Sequence, residues 1–592
     1  MAEALLGIVI ENLQSLCRDQ FSSFLGVDQQ TQKLSSNLTA IRAVFRDAER
    51  KQIKNHAVKD WLQKLTDAAY VLDDILDECS IHSTKMHSVD GHTSRLSRLH
   101  PKDILFRFHI GKRMKDITQR SFFQEAKFDE FGMIISFKMH DLFHDLAQFV
   151  MGEECVVIET GRFTELSARV HHLRLLNNDV PVYMSAFKKV ESMRTILNYG
   201  CFSQLPSNHG VRALCTKSFP RIPLNDLVHL RYLSMRGRLG ASVLNSICGL
   251  PKLQILKLKS CTDVELPKKL TQLQDLRHVL IDDCASIAEM PPNISKLRHL
   301  RTLSIFVVGS KPGCGLAELH SLKLGGALRI RGLNNVPSEW DAKQANLMSK
   351  KELNHLHLSW SSSTNSKSSN VSVERVLEAL EPPSTLKSFH MNGYEGRQLS
   401  SWMRSPVTLR ELVEVKLFRC YNCEELPPLG KLPHMKRLEV SGMKNVKCID
   451  GETYDGVEKA FPSLEELILE NLPKLERLLR DEGVEMLPRL SQLTIKKVSN
   501  FKFPRLPSVE KLYVESIDEV GFFMEGVVGN TPCLKTLNIT SIKGVKTLPD
   551  QFGTLDALED LCTKVTFTSM KGGSKDRVKR AYPVSAKQLI RY

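Results

Sequence analysis

No apolar run in this chain approaches the roughly 18 residues that a membrane-crossing helix needs. The first residues, MAEALLGIVIENLQSL, set Glu3 and Glu11 around a short apolar core. They lack the basic n-region and small-residue cleavage site of a secretory leader. A cytoplasmic protein is therefore expected, and in that compartment the 14 cysteines are expected as free thiols. Their spacing never reads CxxC…CxxC. Cys420 and Cys423 form one CxxC without a second pair, so no metal site is expected. Also missing is G-x-x-x-x-G-K-[ST], the loop whose backbone N–H groups cradle phosphates while its Lys neutralises them and its hydroxyl binds Mg²⁺. The nearest fragment, Gly111-Lys112-Arg113, lacks both the preceding Gly and the Ser or Thr. That speaks against a nucleotide-driven ATPase, and no catalytic residues are expected. Aromatics are few, at 7%, although a total hydrophobic content of 42% is ample for a core.

What is present is charge and repetition. The 592 residues carry a net charge of +15, which admits a nucleic-acid partner. Much of the excess is terminal, however. From Cys562 to Tyr592 eight Lys or Arg face one acid, Asp576. This stretch has little apolar periodicity and reads as a disordered basic tail. No specific nucleic-acid partner is expected.

From about residue 165 the pattern L-x-x-L-x-L recurs: LRYLSM at Leu230, LQILKL at Leu253, LRHVLI at Leu276 and LRTLSI at Leu300. These copies fall within the leucine-rich-repeat period. Later copies start at Leu353, Leu386, Leu412, Met435, Leu464, Leu490, Val509 and Leu534, and weaker ones at Val170, Met193 and Val211. Each repeat buries its leucines against its neighbours and cannot do so alone. The residues between the leucines are expected on a concave face. Prolines follow the strands in ELPKKL, EMPPNI, ELPPLG and TLPDQF and should start the opposite, convex segments. Cys261, Cys284 and Cys420 each fall three residues past the last apolar strand position and read as small buried turn residues. VLIDDC, Val279 to Cys284, mimics a Mg²⁺-binding strand end but lies in register with the repeat. The polar run Ser361 to Asn370 reads as an inserted loop.

Residues 1–80 carry three apolar stripes at helical spacing. They are Leu5, Val9, Leu13 and Leu16; then Leu34, Leu38, Ile41, Phe45 and Ala48; then Val58, Trp61, Leu62, Leu65, Ala69, Leu72 and Leu76. A small helical bundle or coiled-coil pair would bury them. The third helix ends in DDILDE, Asp73 to Glu78. Acids there oppose the helix macrodipole, a hint of a basic partner.

WLQKLTDAAYVLDDILDE, Trp61 to Glu78, resembles the Rx-type coiled-coil domain of plant coiled-coil nucleotide-binding leucine-rich-repeat disease-resistance receptors. Asp73, Asp74 and Asp77 stand where that family has its acidic motif. FRFHIGKRMKDITQR resembles the helix leading into its nucleotide-binding domain. SFFQEAKFDEFGMIISFKMHDLFHDLAQFV, Ser121 to Val150, resembles the winged-helix end of that domain and carries the MHD motif as Met139, His140 and Asp141. The resemblance implies an Rx-type bundle at 1–80, a linker and lead-in helix at 81–120 and a winged-helix remnant at 121–160; the repeat pattern gives a leucine-rich solenoid at 165–561, and composition a basic disordered tail at 562–592. The fold class is thus an α-helical bundle plus an α/β leucine-rich-repeat solenoid, with a short winged-helix remnant between them.

The resemblance also implies function. The repeats would recognise a pathogen effector or a guarded host protein. The N-terminal domain would oligomerise with other coiled-coil receptors and associate peripherally with the plasma membrane. ADP or ATP serves as a switch in the family, yet here Arg120 runs straight into Ser121 where its phosphate-binding core would lie, so no cofactor is expected. A receptor-derived adaptor, decoy or regulator follows; the alternative is a leucine-rich interaction scaffold unrelated to immunity. In the family the acidic motif packs on repeat arginines, for which Arg174, Arg194, Arg212, Arg231 and Arg236 are the candidates here.

Overall fold

The computed structural model describes residues 123–128, 134–139, 151–158, 167–176, 193–198 and 210–217. It further describes 224–564, apart from 285, 361–371, 406, 451–458, 480–485, 499–500, 517–525, 528, 541–554 and 556, and then 584–585. The chain divides into two compact units, Met1–Gly152 and Glu153–Tyr592. In the first unit β1 (Phe123–Phe128) and β2 (Ile134–Met139) form an antiparallel hairpin. The apolar stripes of the N-terminal bundle, the lead-in helix, and the acidic residues Asp73, Asp74 and Asp77 lie outside the described residues, as do His140, Asp141 and the loop at 361–370.

The second unit is a repeat array of parallel strands. Its first sheet contains β3 (Cys155–Ile158), β4 (His172–Leu175), β5 (Thr195–Asn198), β6 (Ala213–Thr216), β7 (Tyr232–Arg238), β8 (Ile255–Thr262), β9 (His278–Asp282) and β10 (Thr302–Leu303), in sequence order. The second sheet begins with β11 (Ile305–Val307), β12 (Gly326–Arg331), β13 (Leu353–Ser359), β14 (Ser388–Asn392), β15 (Glu414–Phe418) and β16 (Arg437–Ser441). It continues with β18 (Glu466–Glu470), β20 (Gln492–Lys496), β21 (Lys511–Glu515), β22 (Thr536–Thr540), β23 (Asp560–Lys564) and β24 (Val584–Ser585). A separate pair, β17 (Cys448–Asp450) and β19 (Arg477–Leu479), also runs parallel.

Strand residues alternate as the pleat requires. In β7, Leu233 and Met235 are buried while Tyr232 and Ser234 are half exposed. Short 3-10 turns and helices close the other side. Pro267 precedes the turn Lys268–Gln272 and Pro428 the turn Leu429–Lys431, so proline does open these segments.

Many of the described repeats leave their strand through one left-handed residue, two positions past the last core side chain. This residue is Gly237, Ser260, Asp283, Gly332, Gly393, Arg419, Gly442, Asn471, Lys497 or Ser516. The next residue is often buried: Cys261, Cys284, Leu333, Tyr394, Cys420, Met443, Leu472 and Val498 all fill that slot. The slot is apolar rather than reserved for small side chains. The buried Cys261 thiol donates to the Met235 and Lys259 carbonyls, and burial pushes its pKa up to about 12.

The array differs from its sequence reading in four places. It starts earlier than residue 165, because β3 pairs in parallel with β4 and so belongs to the repeat sheet rather than to a winged-helix remnant reaching 160. A repeat absent from the motif count supplies β12, because Gly325 and Gly326 stretch its leucine spacing by one residue and create a register shift at Gly326. The copy at Leu300 is split between β10 and β11. Finally, the stretch from Cys562 is not wholly an unstructured tail. Cys562–Lys564 extend β23, and β24 pairs antiparallel with it, satisfying backbone groups that an edge strand leaves open.

Candidate functional site

The face of the strands turned away from the core presents the side chains that alternate with the leucines. In-register parallel pairing stacks equivalent positions of successive repeats about 4.8 Å apart, so a residue type repeated at one position becomes a column.

In the first sheet the position just ahead of each strand forms such a column. The amide of Arg212 donates to the Arg194 carbonyl, Arg231 to Arg212, Gln254 to Arg231, Arg277 to Gln254 and Arg301 to Arg277. All five arginines are exposed. Among the described residues no carboxylate pairs with any of them. Three of the five arginines read from sequence, Arg194, Arg212 and Arg231, are thereby brought together. Arg174 sits within β4, opposite Leu197, and Arg236 within β7, opposite Lys259, so these two are not in the column. Arg277 and Arg301 were missed, although LRHVLI and LRTLSI both carry the same Leu-Arg step. Of the MHD motif, Met139 ends β2.

The open face of the second sheet is more tightly knit. Its central feature is Glu414, only 2% exposed although it alternates with the core residues Val415 and Leu417 on β15. Its Oε2 accepts from Ser388 Oγ at 2.9 Å and lies 2.8 Å from His390 Nε2. Its Oε1 lies 2.5 Å from Lys416 Nζ and 3.7 Å from Arg437 Nη1. Burial alone would raise the carboxyl pKa. Hydrogen bonds from His390 and Lys416 outweigh burial and hold it well below the usual carboxylate range. Arg437 also reaches Glu466, at 2.7 Å from Nε to Oε2. Charge is thus neutralised from β14 to β18.

On the other side of β14 the open face is basic. Arg329, His357, His390 and Lys416 occupy one register position on four successive strands. Arg331 stands two residues from Arg329 on the same face. The His357 and His390 rings meet edge to face at 5.8 Å between centroids. His357 Nε2 is buried without a hydrogen-bond partner. Burial, with Arg329, His390 and Arg331 around it, pushes the imidazole pKa down to about 3, so it is neutral.

Among the described residues no group of three or more His, Cys, Asp or Glu is placed to hold a metal ion. Among them, too, no helix is long and apolar enough to cross a membrane.

Comparison with known proteins fits this architecture. A model of the Rx N-terminal domain matches residues 5–112, and a model of R13L1/DRL21 leucine-rich repeats matches residues 316–443. The chain is 33% identical over 443 residues to the putative disease resistance protein RGA1 of Solanum bulbocastanum, covering 74% of this chain and 42% of that protein. It is 32% identical to the putative disease resistance protein RGA4 of the same species (75% and 43%). It is 28% identical to a putative disease resistance RPP13-like protein 1 of Arabidopsis thaliana (76% and 46%). The chain therefore spans less than half the length of these relatives. The N-terminal segment is thus similar to the Rx N-terminal domain, part of the repeats to R13L1/DRL21 leucine-rich repeats, and about three quarters of the chain to plant disease-resistance proteins.

Proposed function

We propose that this chain acts in plant defence as a recognition protein, engaging a pathogen effector or a guarded host protein through the open face of its repeats. The observation that carries this reading is the similarity to disease-resistance proteins across most of the chain. The charged, ordered open face supports it: pairing in the array leaves side chains, not backbone, to face a partner. We further propose that the protein works without a nucleotide switch of its own, as an adaptor, decoy or regulator of full-length receptors. The support is a sequence lacking G-x-x-x-x-G-K-[ST]. The N-terminal segment would supply contacts to other coiled-coil receptors, from a cytoplasmic pool with peripheral access to the plasma membrane.

The test is proximity labelling by the full chain in plant tissue, before and after pathogen challenge. Recovery of disease-resistance receptors or of a challenge-dependent protein supports the reading; labelling that matches a free labelling enzyme rejects it. Nucleotide content is tested separately, by denaturing purified protein and chromatographing what is released. Stoichiometric ADP or ATP would reject the switchless form.

A further inference from the structure

Away from the open face, the repeats that lead into β9, β10 and β12 each pass through a 3-10 turn: Lys268–Gln272, Ile294–Lys296 and Leu316–Leu319. Beside these turns lies a cavity of about 750 Å³ lined by Gln274, Ser295, Lys296, Arg298 and Ser321. All five are polar, two are cations and none is an acid. The volume falls in the range of ligand clefts, about 300–1,000 Å³, but small-molecule clefts are mostly apolar. Four of the five side chains are exposed, so the cavity is an open trough.

The middle turn is held in place. The amide of Asn293 donates to the Gly313 carbonyl at 2.8 Å. The Ser295 amide and hydroxyl both donate to Glu318 Oε2, at 3.1 and 2.6 Å. Ile294 and Leu297 anchor it in the core. Lys296 and Arg298 flank buried Leu297 and carry their charges outward, and among the described residues neither meets a carboxylate. The carboxylates of the flanking turns are engaged elsewhere: Glu318 by Ser295, and Asp275 by Lys252 at 3.5 Å. Gln274 gives one amide N–H to the Thr271 carbonyl, which leaves it a second. The trough is thus a set of donors on a fixed backbone, drawn from three repeats, with no acceptor charge among them.

We propose that this trough is a docking site for a phosphorylated protein segment, with Lys296 and Arg298 taking the phosphate of a phosphoserine or phosphothreonine and Gln274 and Ser321 donating at its edge. A phosphate carries nearly two negative charges and three acceptor oxygens, which matches two cations and neutral donors around one space better than a carboxylate does. The Arg fork binds two of those oxygens and Lys acts as a point charge. An open, polar trough along successive repeats suits an extended segment, whereas a free metabolite needs walls that bury most of its surface. This deepens the recognition reading above by naming the chemistry of the partner, and it rests on that reading for its biological meaning.

The experiment uses the full chain and a fluorescein-labelled peptide of alternating Ala and Gly around one central phosphoserine, followed by fluorescence anisotropy at physiological salt. The same peptide with Ser or Glu at the centre is the control. Expected are binding of the phosphopeptide, none of the Ser peptide, and at least about a tenfold loss of affinity in Lys296→Gln/Arg298→Gln. Arg298→Lys, which keeps the charge but removes the fork, should lose several-fold. Arg194→Gln/Arg212→Gln, elsewhere on the first sheet, should leave affinity within about twofold. All these side chains are exposed, so the variants keep the fold. Absence of phosphopeptide binding, or equal losses from the two double variants, would overturn the site. A Glu peptide that binds as tightly would overturn the choice of phosphate. Inorganic phosphate that displaces the peptide with the peptide's own affinity would overturn the protein partner. So would sedimentation with phosphatidylinositol 4-phosphate vesicles that Lys296→Gln/Arg298→Gln abolishes. Failure of peptide binding leaves defence recognition standing, and failure of the labelling experiment leaves this site standing, so the two are separable.

Discussion

His390 and Glu414, on neighbouring strands of the second sheet, meet at 2.8 Å across a register step, and the carboxylate they share with Lys416 and Ser388 is almost wholly buried. A carboxylate so placed binds its positive neighbours only while it is ionised. Replacing it by alanine takes this counter-charge from Lys416 and removes the His390 hydrogen bond, while Arg437 keeps Glu466. Glu414→Ala is expected to cost about 2–4 kcal/mol at pH 7, below the top of the range for buried pairs because its partners are part exposed. The folded state holds the Glu414 pKa below its unfolded value, so its contribution is complete above the ordinary carboxylate range. It drains away as pH falls through that range toward the folded value. Urea denaturation at pH 7 and at pH 3 should show the gap between wild type and Glu414→Gln narrowing at the lower pH. A constant gap would show that the interaction is not ionic.

Lys350 presents the opposite case. Its ammonium is buried and donates to the carbonyls of Leu319 and Leu322, each at 2.8 Å. Burial pushes its pKa down to about 8. Between that value and the ordinary lysine value of about 10.4, the unfolded chain binds the proton that the folded chain has released, so stability should rise with pH across this window. Below about pH 8 both states are protonated and the effect is flat. Denaturation midpoints from pH 7.5 to 10 should climb more steeply for wild type than for Lys350→Met. Parallel profiles would mean that Lys350 titrates normally.

The left-handed turn position offers a paired test. Lys497 occupies it at φ 51°, with its side chain exposed. Relieving that conformation by Lys497→Gly should stabilise by about 0.5–1 kcal/mol, the backbone gain outweighing the added freedom of the unfolded chain. Gly237 holds the same position at φ 95°, and an added Cβ would lie 2.7 Å from the Lys217 carbonyl oxygen. Gly237→Ala should therefore cost more than about 1 kcal/mol. Thermal unfolding of the two variants should shift in opposite directions. A loss from Lys497→Gly would show that its side chain carries an unseen contact.

The strands were legible where one leucine spacing recurs, because burying a repeat against its neighbours permits little else at those positions. Legibility failed at Leu324, where one extra residue in the Gly325-Gly326 step hid a complete strand. It failed again at Leu300. There LRTLSI satisfies the motif while Ile305, Phe306, Val307 and Val308 are all buried, and a run of four apolar residues was the available sign that alternation breaks. The site was less readable for a different reason. Positions between the leucines have no period of their own, so that Arg329 and His357, or His390 and Glu414, become neighbours only through pairing across repeats whose lengths vary. The arginine column was partly seen because early-repeat arginines were the candidates to meet an acidic motif; its members Arg277 and Arg301, each at the second position of its repeat motif, lay in later repeats.

Ser304 lies at the junction of the two sheets and ties them together. Its amide donates to the Val279 carbonyl on the first sheet, and its carbonyl accepts from the Arg329 amide on the second. Its hydroxyl accepts from the Ile281 amide at 2.7 Å and donates to the Ile281 carbonyl at 3.0 Å. Where the register changes, the side chain thus supplies backbone-like bonds to Ile281, whose side chain is buried. Ser304→Ala removes that substitute and leaves two backbone groups without their partner, at an expected cost of about 1–3 kcal/mol. The loss should be local before it is global. In native-state hydrogen exchange the Ile281 amide should lose protection by one to two orders of magnitude, roughly what that free energy implies, while amides of β20 to β22 keep theirs. Uniform loss across both sheets would mean that the array unfolds as one body. An unchanged Ile281 amide would show that Ser304 is not the tie.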